Sequence, residues 1–357
     1  MEKAALTTIY QLIPSNATVS MKTTLSIVFS FWNEEEVIPE LIRRVRKALR
    51  GEEMQNDIHA YELIFVNDAS TDNSLAILTK EAGAEGDLKI ITMSRNWGAV
   101  PCILAGMQHA QGDAVIYMDA DLQDPPELIP QMVALFRKDG VDIVHTKRLA
   151  RDGESRFKLL ITKMGYYVLQ KVSSVEIQPE VGDFKLYSKR AAQHITALKE
   201  NWPFMRGMAQ WIGLKQTTIE YKREKRFAGK TKYPALGKRG RDNFLHSALI
   251  SFSELPLKLA SLMGVLISLG AFLFLIYTVI QKFLGHNLPG WSALMVTILF
   301  LGGLELLTIG ILGLYIGSIF TETKNRPKYI IESTYGFKDE SENTANQKKR
   351  ARSVRTS

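Results

Sequence analysis

The chain has 357 residues, 46% of them hydrophobic, which suits one sizeable domain with something added to it. Its formal net charge of +8 at pH 7 points to an anionic partner. Nucleic acid is disfavoured, because no basic stretch carries the interleaved aromatics of a base-stacking platform. The single cysteine, Cys102, excludes an intrachain disulfide and a multi-cysteine zinc site, and in the apolar run VPCILAG it reads as a small core residue.

In chain order, residues 1–20 read as an N-terminal extension, too polar for a signal peptide. Residues 21–233 read as one cytoplasmic α/β domain. From Thr24, β-branched runs alternate with helical patterns: LSIVFSF before EEEVIPELIRRVRKALR, and YELIFVND before NSLAILTKEAG. LKIITMS then precedes AVPCILAGMQHAQG, DAVIYMD precedes PELIPQMVALFRKDG, and VDIVHTKR follows. This alternation predicts a mainly parallel sheet covered on both faces, with its ligand beyond the carboxyl ends of the strands. Those ends carry SFWNEEE, VNDASTDNS, SRNWG, DADLQ and TKR. Neither a Gly-rich dinucleotide fingerprint nor a Walker-type loop occurs, which argues against hydride transfer and P-loop chemistry.

DADLQ sets two carboxylates, Asp119 and Asp121, one alanine apart at the end of a strand that reads as buried. Like charges that close are tolerable when a divalent cation or its phosphate complex lies between them. Magnesium typically takes one or two carboxylates plus substrate phosphates. Asp119, Asp121 and Gln123, whose amide oxygen can join them, are the candidate metal ligands, for Mg2+ or Mn2+.

Beyond the domain, residues 234–257 mix basic and apolar positions and suit a membrane interface. Leu259 to Ile280 holds no charged residue, and Ser292 to Phe320 is interrupted by Glu305 alone. The expected layout is a first span at 258–282, an extracytoplasmic linker at 283–291, a second span at 292–320 and a cytoplasmic tail at 321–357. Lysines and arginines crowd the outer flanks, whereas the stretch between the two apolar runs has only Lys282, so both termini are expected in the cytoplasm. A carboxylate inside a span is costly, and Glu305 is expected at a helix contact, as in a homo-oligomer.

The series FWNEEEVIPEL, VNDASTDNS, SRNWG, GDAVIYMDADLQDPPE, GDFKLYSKRA, NWPFMRGMAQWIG, YKREKRFAGKTKYP and SFSELPLKLASLMG resembles, in order, the membrane-bound family 2 glycosyltransferases that act on polyprenyl phosphate. That family includes bactoprenol glucosyltransferases and dolichol-phosphate mannose synthases. The resemblance implies a nucleotide-sugar-binding, Rossmann-like glycosyltransferase A-type domain followed by interfacial helices and a two-helix transmembrane hairpin. It implies Ser30, Trp32 and Glu34 around the nucleotide, Val66 and Asp68 at the base, and Asp119, Ala120 and Asp121 as the D-x-D. Arg148 matches a basic residue at the lip, Arg226 and Lys232 match the pair that meets the phosphates, and Asp183 matches an acid that can orient the acceptor or act as base. A structural cap on the following helix is the alternative for Asp183.

Departures from the family pattern are Ser30 for proline, Trp32 for tyrosine, Asn67 for aspartate, and Ala99 where a lysine is customary. They spare the metal ligands and bear on the donor. The implied reaction is inverting transfer of a sugar, glucose from UDP-glucose in the leading case, to undecaprenyl phosphate at the cytoplasmic leaflet of a bacterial inner membrane. An N-acetylhexosamine or mannose donor, and a processive polysaccharide synthase, are the alternatives. A non-catalytic flippase or scaffold would leave the carboxylates at the strand ends unexplained.

Overall fold

The computed structural model describes residues 22–149, 181–200, 203–228, 255–284 and 290–337. The expected extension at 1–20, most of the interfacial segment and linker, and Lys232 lie outside the described residues. The five expected strands are β1 (Thr23–Phe31), β2 (Ile58–Asn67), β3 (Leu88–Met93), β4 (Ala114–Asp119) and β5 (Ile143–Arg148). Three more follow, β6 (Val181–Ser188), β7 (Gln216–Tyr221) and β8 (Ile331–Tyr335). Together they form one sheet in the order β7-β5-β6-β4-β1-β2-β3-β8. Neighbours β3, β2, β1 and β4 are parallel, as are β5 and β7, while β6 and β8 run antiparallel to the strands they pair with.

Each strand alternates between two cores. On one face α1 (Ile38–Leu49), α2 (Ser74–Glu85) and α4 (Ile129–Asp139) cover Ile27, Phe29, Phe65, Ile116 and Leu186. On the other, α3 (Ala99–His109), α5 (Lys189–Ala197) and α6 (Met205–Trp211) cover Val28, Val66, Val115 and Tyr117. Cys102 is fully buried in this second core, as its apolar run requires. Successive side chains of a strand point to opposite faces, so a sheet buried on both sides has to be apolar almost throughout.

Two points differ from the sequence expectation. β5 is not the parallel neighbour of β4, because β6 inserts antiparallel between them. The segment 321–357 is not simply a tail either: β8 completes the sheet by pairing with β3. Phe337 packs edge-on against His109, ring centroids 5.6 Å apart, and Lys89 lies over its face at 5.1 Å.

Between β7 and β8 run two long helices, α7 (Leu255–Phe283) and α8 (Trp291–Thr323). Their apolar side chains, among them Val265, Phe272, Leu306 and Ile316, face outward. Among the described residues one stretch, Phe300–Thr323, is long and apolar enough to cross a membrane, against the two spans expected. Those 24 residues reach about 36 Å as a helix, enough for a ~30 Å hydrocarbon core.

Gly106 lets α3 approach the sheet: a Cβ there would sit 2.2 Å from Val28 Cγ1. Gly83 in α2 has nothing within 4 Å of the same position. Gly106→Ala is therefore expected to lower stability by about 1–3 kcal/mol through overpacking. Gly83→Ala should raise it by about 0.5–1 kcal/mol by stiffening the helix. Thermal unfolding of both variants checks the pair, and equal shifts would refute the close approach of α3.

Candidate functional site

The carboxyl ends of β1, β2 and β4 converge on a cleft of about 320 Å³. Ser30, Trp32, Glu34, Asp68, Asp119, Ala120, Asp121, Gln123 and Arg226 line it, together with Phe31, Ala99 and Arg223. The loops that form it begin in strained backbone. Asn33 after β1, Ala69 after β2 and Leu122 after β4 all have φ of 55°. Left-handed backbone is uncommon for residues other than glycine and concentrates where a site is over-determined by its surroundings.

Reciprocal hydrogen bonds supply that over-determination. Asn33 Oδ1 accepts from Thr71 N at 2.7 Å, and Ser70 Oγ accepts from Asn33 N at 3.0 Å. Asp72 accepts from Glu35 N at 3.2 Å, Glu35 accepts from Asn73 N at 2.9 Å, and Ser74 Oγ accepts from Glu34 N at 2.9 Å. Much of VNDASTDNS thus clamps the first loop to the second. Asn67, where an aspartate was expected, closes its own turn by accepting from Ser70 N at 2.9 Å.

Asp68 is buried, and its two oxygens accept from Trp97 N at 2.7 Å and Gly98 N at 2.9 Å, which fixes the start of α3. Each oxygen retains a lone pair. Ala99, the position of the customary lysine, opens α3 at the cleft wall, so that wall carries a methyl group in place of a charge. Val66 does not line the cleft; it is fully buried under α3.

The D-x-D lies at the bottom. Burial, then the charge of Asp121, pushes the Asp119 carboxyl up to about 7, against a hydrogen bond from Tyr117. Asp121 accepts from Gln123 N at 3.1 Å and pairs with Arg226 Nη2 at 2.8 Å. Arg226 Nη1 also reaches Glu34 Oε1 at 3.3 Å. Its position is set by the chain after β7, where Glu224 N donates to Gln123 O at 2.9 Å and Arg44 grips both Glu224 and Glu127.

Arg148 does not reach the cleft. Its guanidinium donates to Tyr221 Oη at 3.0 Å and pairs at 3.5 Å with Asp124, which is 1% exposed and also accepts from the Tyr221 hydroxyl. Asp183 pairs with Arg206 of α6 at 3.2 Å. Burial alone would raise the Asp183 carboxyl, but Arg206 and Lys185 outweigh it and hold it below the usual range. The cap on the next helix is Ser188, whose Oγ accepts from Ala191 N at 3.1 Å, so the capping alternative for Asp183 is excluded.

Sequence reasoning missed Tyr117, Asp124, Arg206 and Arg223. Tyr117 is two residues before Asp119, hence on the same face of β4, a signal that alternation offered. Arg223 lies within KREKR, where nothing distinguishes one cation from the next. Its Nε is buried without a hydrogen-bond partner, 3.7 Å from Asp124 Oδ1.

The donor set can be tested against a divalent cation. Among the described residues no three His, Cys, Asp or Glu side chains gather into a ready-made cage. Two carboxylates and an amide beside a basic wall suit an ion that shares its shell with substrate phosphates. Asp119 lies beside Asp121, which already recruits a guanidinium. The residues fit.

Sheets of this kind take their ligands beyond the carboxyl ends of the strands, at the switch point between β1 and β4, where these carboxylates and arginines gather. The profile described as "Glycosyl transferase family 2" matches residues 26–196. The chain is 41% identical to "Uncharacterized glycosyltransferase YkcC" of Bacillus subtilis, over 88% of this chain and 95% of the relative. It is 36% identical to "Prophage bactoprenol glucosyl transferase homolog" of Escherichia coli K12, over 86% and 98%. Identity is also 36% to "Bactoprenol glucosyl transferase" of Shigella phage SfII, over 87% and 98%. The chain belongs to glycosyl transferase family 2, and its domain is glycosyltransferase A-like with a mostly parallel sheet.

One buried group remains. Lys185 lies opposite Tyr117 and His145 in the sheet, is fully buried, and among the described residues its Nζ has no hydrogen-bond partner. Burial pushes it down to about 8 from an ordinary 10.5, with Asp183 opposing. The unfolded chain therefore binds the proton between pH 8 and 10.5 while the folded protein does not, so stability rises with pH across that window. Lys185→Met is expected to be more stable than wild type at pH 7, by at most about 3 kcal/mol. The gap should shrink from pH 8 to 10.5 in thermal unfolding. A gap that does not change with pH would contradict the buried charge.

Proposed function

We propose that this protein transfers a sugar from a nucleotide sugar to polyprenyl phosphate with inversion, glucose from UDP-glucose to undecaprenyl phosphate in the leading case. The observation that carries the reading is the ion pair of Arg226 with Asp121 and Glu34 at the foot of the cleft, beside Asp119. The relatives named bactoprenol glucosyl transferase support both acceptor and sugar. Asp119, Asp121 and Gln123 would hold Mg2+ or Mn2+, which when bound neutralises the diphosphate. Arg226, Arg223 and Lys232 add positive charge where the leaving group gains negative charge. Ser30, Trp32, Glu34, Ala120 and Asp68 line the nucleotide's place. The nucleophile is an acceptor phosphate oxygen, already ionised near neutral pH, so no strong base is needed. Asp183, held ionised, orients Arg206 on the acceptor side.

Chain closure supports two spans. The polypeptide leaves the sheet after β7, passes through α7 and α8, and returns to the same sheet as β8. If α8 crosses the membrane, α7 has to cross it too. We place the catalytic domain and both termini in the cytoplasm, in a bacterial inner membrane. Glu305 sits exposed on α8, where a second copy rather than lipid would cover it, in keeping with a homo-oligomer.

Membranes incubated with a panel of labelled nucleotide sugars and then extracted for lipid should give one mono-glycosylated lipid phosphate. Polymer instead would favour a processive synthase. Asp121→Asn should cut turnover at least about a thousandfold with the fold intact. Wild-type activity that survives EDTA would remove the metal from the scheme. Arg226→Ala should lower kcat about a hundredfold at saturating donor and acceptor, roughly 3 kcal/mol. Full recovery at saturation would instead make Arg226 a ground-state binding residue.

A further inference from the structure

We propose that Tyr117 is a positioning residue for Asp119, and that Ser30 acts through it: a directed hydrogen-bond chain from Ser30 to Tyr117 to Asp119 turns one chosen carboxylate oxygen toward the cation. This rests on the assignment of Asp119 as a metal ligand.

The chain follows from register. β1 and β4 are parallel with Val28 opposite Tyr117 and Ser30 opposite Asp119. Tyr117 and Asp119 share a face of β4, and so do Val28 and Ser30 on β1. The Tyr117 ring is 1% exposed, packed in the core beneath α3 and α6. A tyrosine that deep needs a partner for its hydroxyl. It finds two at the rim: Asp119 Oδ1 at 2.5 Å and Ser30 Oγ at 2.8 Å.

Proton accounting then sets the direction. The phenol has one proton, and a carboxylate that ligates a cation is ionised and can only accept, so that proton goes to Asp119. The Ser30 hydroxyl must therefore donate to the phenol oxygen. Its own lone pairs are left facing the cleft that Ser30 lines. Ser30 is thus an acceptor toward the nucleotide, and Tyr117 Oη is spent on both sides. Asp119 Oδ1 is engaged, and among the described residues Oδ2 has no protein partner, so the ligand is offered through a single oxygen. Groups that hold a ligating carboxylate in this manner typically contribute 10–100-fold to metal affinity.

The test is Mn2+ binding to the full-length protein in detergent, followed by electron paramagnetic resonance with and without UDP, which separates the proposal from turnover. Tyr117→Phe keeps the ring and removes the hydroxyl, and should weaken Mn2+ binding about 10–100-fold with unfolding temperature nearly unchanged. Ser30→Ala should weaken it less. The double variant should be no worse than Tyr117→Phe alone, because Ser30 acts through the phenol. Asp119→Asn is the reference. If it abolishes binding while Tyr117→Phe binds as wild type, the positioning role is wrong and the metal assignment stands. If Asp119→Asn also binds as wild type, the metal assignment itself falls, and this proposal with it. Should Tyr117→Phe unfold, Ser30→Ala alone decides: wild-type affinity there overturns the chain.

Discussion

Two carboxylates at the end of one buried strand cannot both be charged without positive charge beside them, and most of the site is arranged around that constraint. Asp119 meets it through the Tyr117 phenol, while the burial that pushes it up to about 7 leaves room for a cation. Asp121 meets it through Arg226 and the Gln123 amide. The segment that carries Arg226 has no regular structure of its own, so it is fastened by Glu224 to the D-x-D loop and by Arg44 to α1. A guanidinium in this position is a placeholder that a diphosphate can recruit. Its partners are carboxylates on two loops, and incoming phosphates offer equivalent oxygens.

Rigidity underneath is what allows the charges to be exchanged on top. Three left-handed residues start the three loops, and side chains of the second loop satisfy backbone amides of the first. Buried polar networks of this kind hold one geometry when every member is satisfied. The unsatisfied members are therefore informative. Arg223 lines the cleft with its buried Nε 3.7 Å from Asp124, whereas Lys185 and His145 lie far inside the sheet. His145 Nε2 donates to Gln216 Oε1 at 2.6 Å, and burial with the nearby Lys185 pushes it down to about 4, so it stays neutral. The Lys185 charge helps keep Asp183 ionised beside Arg206.

What the amino-acid order revealed and what it hid follow the same physics. β1 to β5 were legible because strands buried on both faces are apolar runs. β6 was not, since Asp183 and Lys185 interrupt GDFKLYS with charges, one paired with Arg206 of α6 and the other buried in the sheet. β8 was hidden for the opposite reason: IESTY is an exposed edge strand with no apolar signature. The D-x-D was legible at a strand end, Glu34 and Arg226 through the family resemblance, and they do converge. Arg148 was misplaced, because a cation at a strand terminus can turn outward to the cleft or back to a buried acid. Asp124, the acid that claims it, looks in sequence like one more residue of an acidic turn.

The strand that sequence hid also bears on how the domain would meet the proposed lipid acceptor. Residues 324–330, seven in all, join the end of α8 to β8, and fully extended they span at most about 25 Å. They are not free to extend: Ser94 N donates to Ile330 O at 3.0 Å, Lys328 Nζ donates to Leu198 O, and Tyr329 donates to Gln108. The β3 edge of the sheet is thus pinned close to the point where the apolar stretch of α8 ends. If α7 and α8 lie in a bilayer, as proposed, a domain held on one side by β8 and continuing on the other into α7 cannot tumble freely above it. Its cleft would then keep a set height relative to the headgroups, which the proposed transfer to a lipid phosphate would demand. A soluble acceptor would impose no such requirement on the return of the chain from α8 to the sheet.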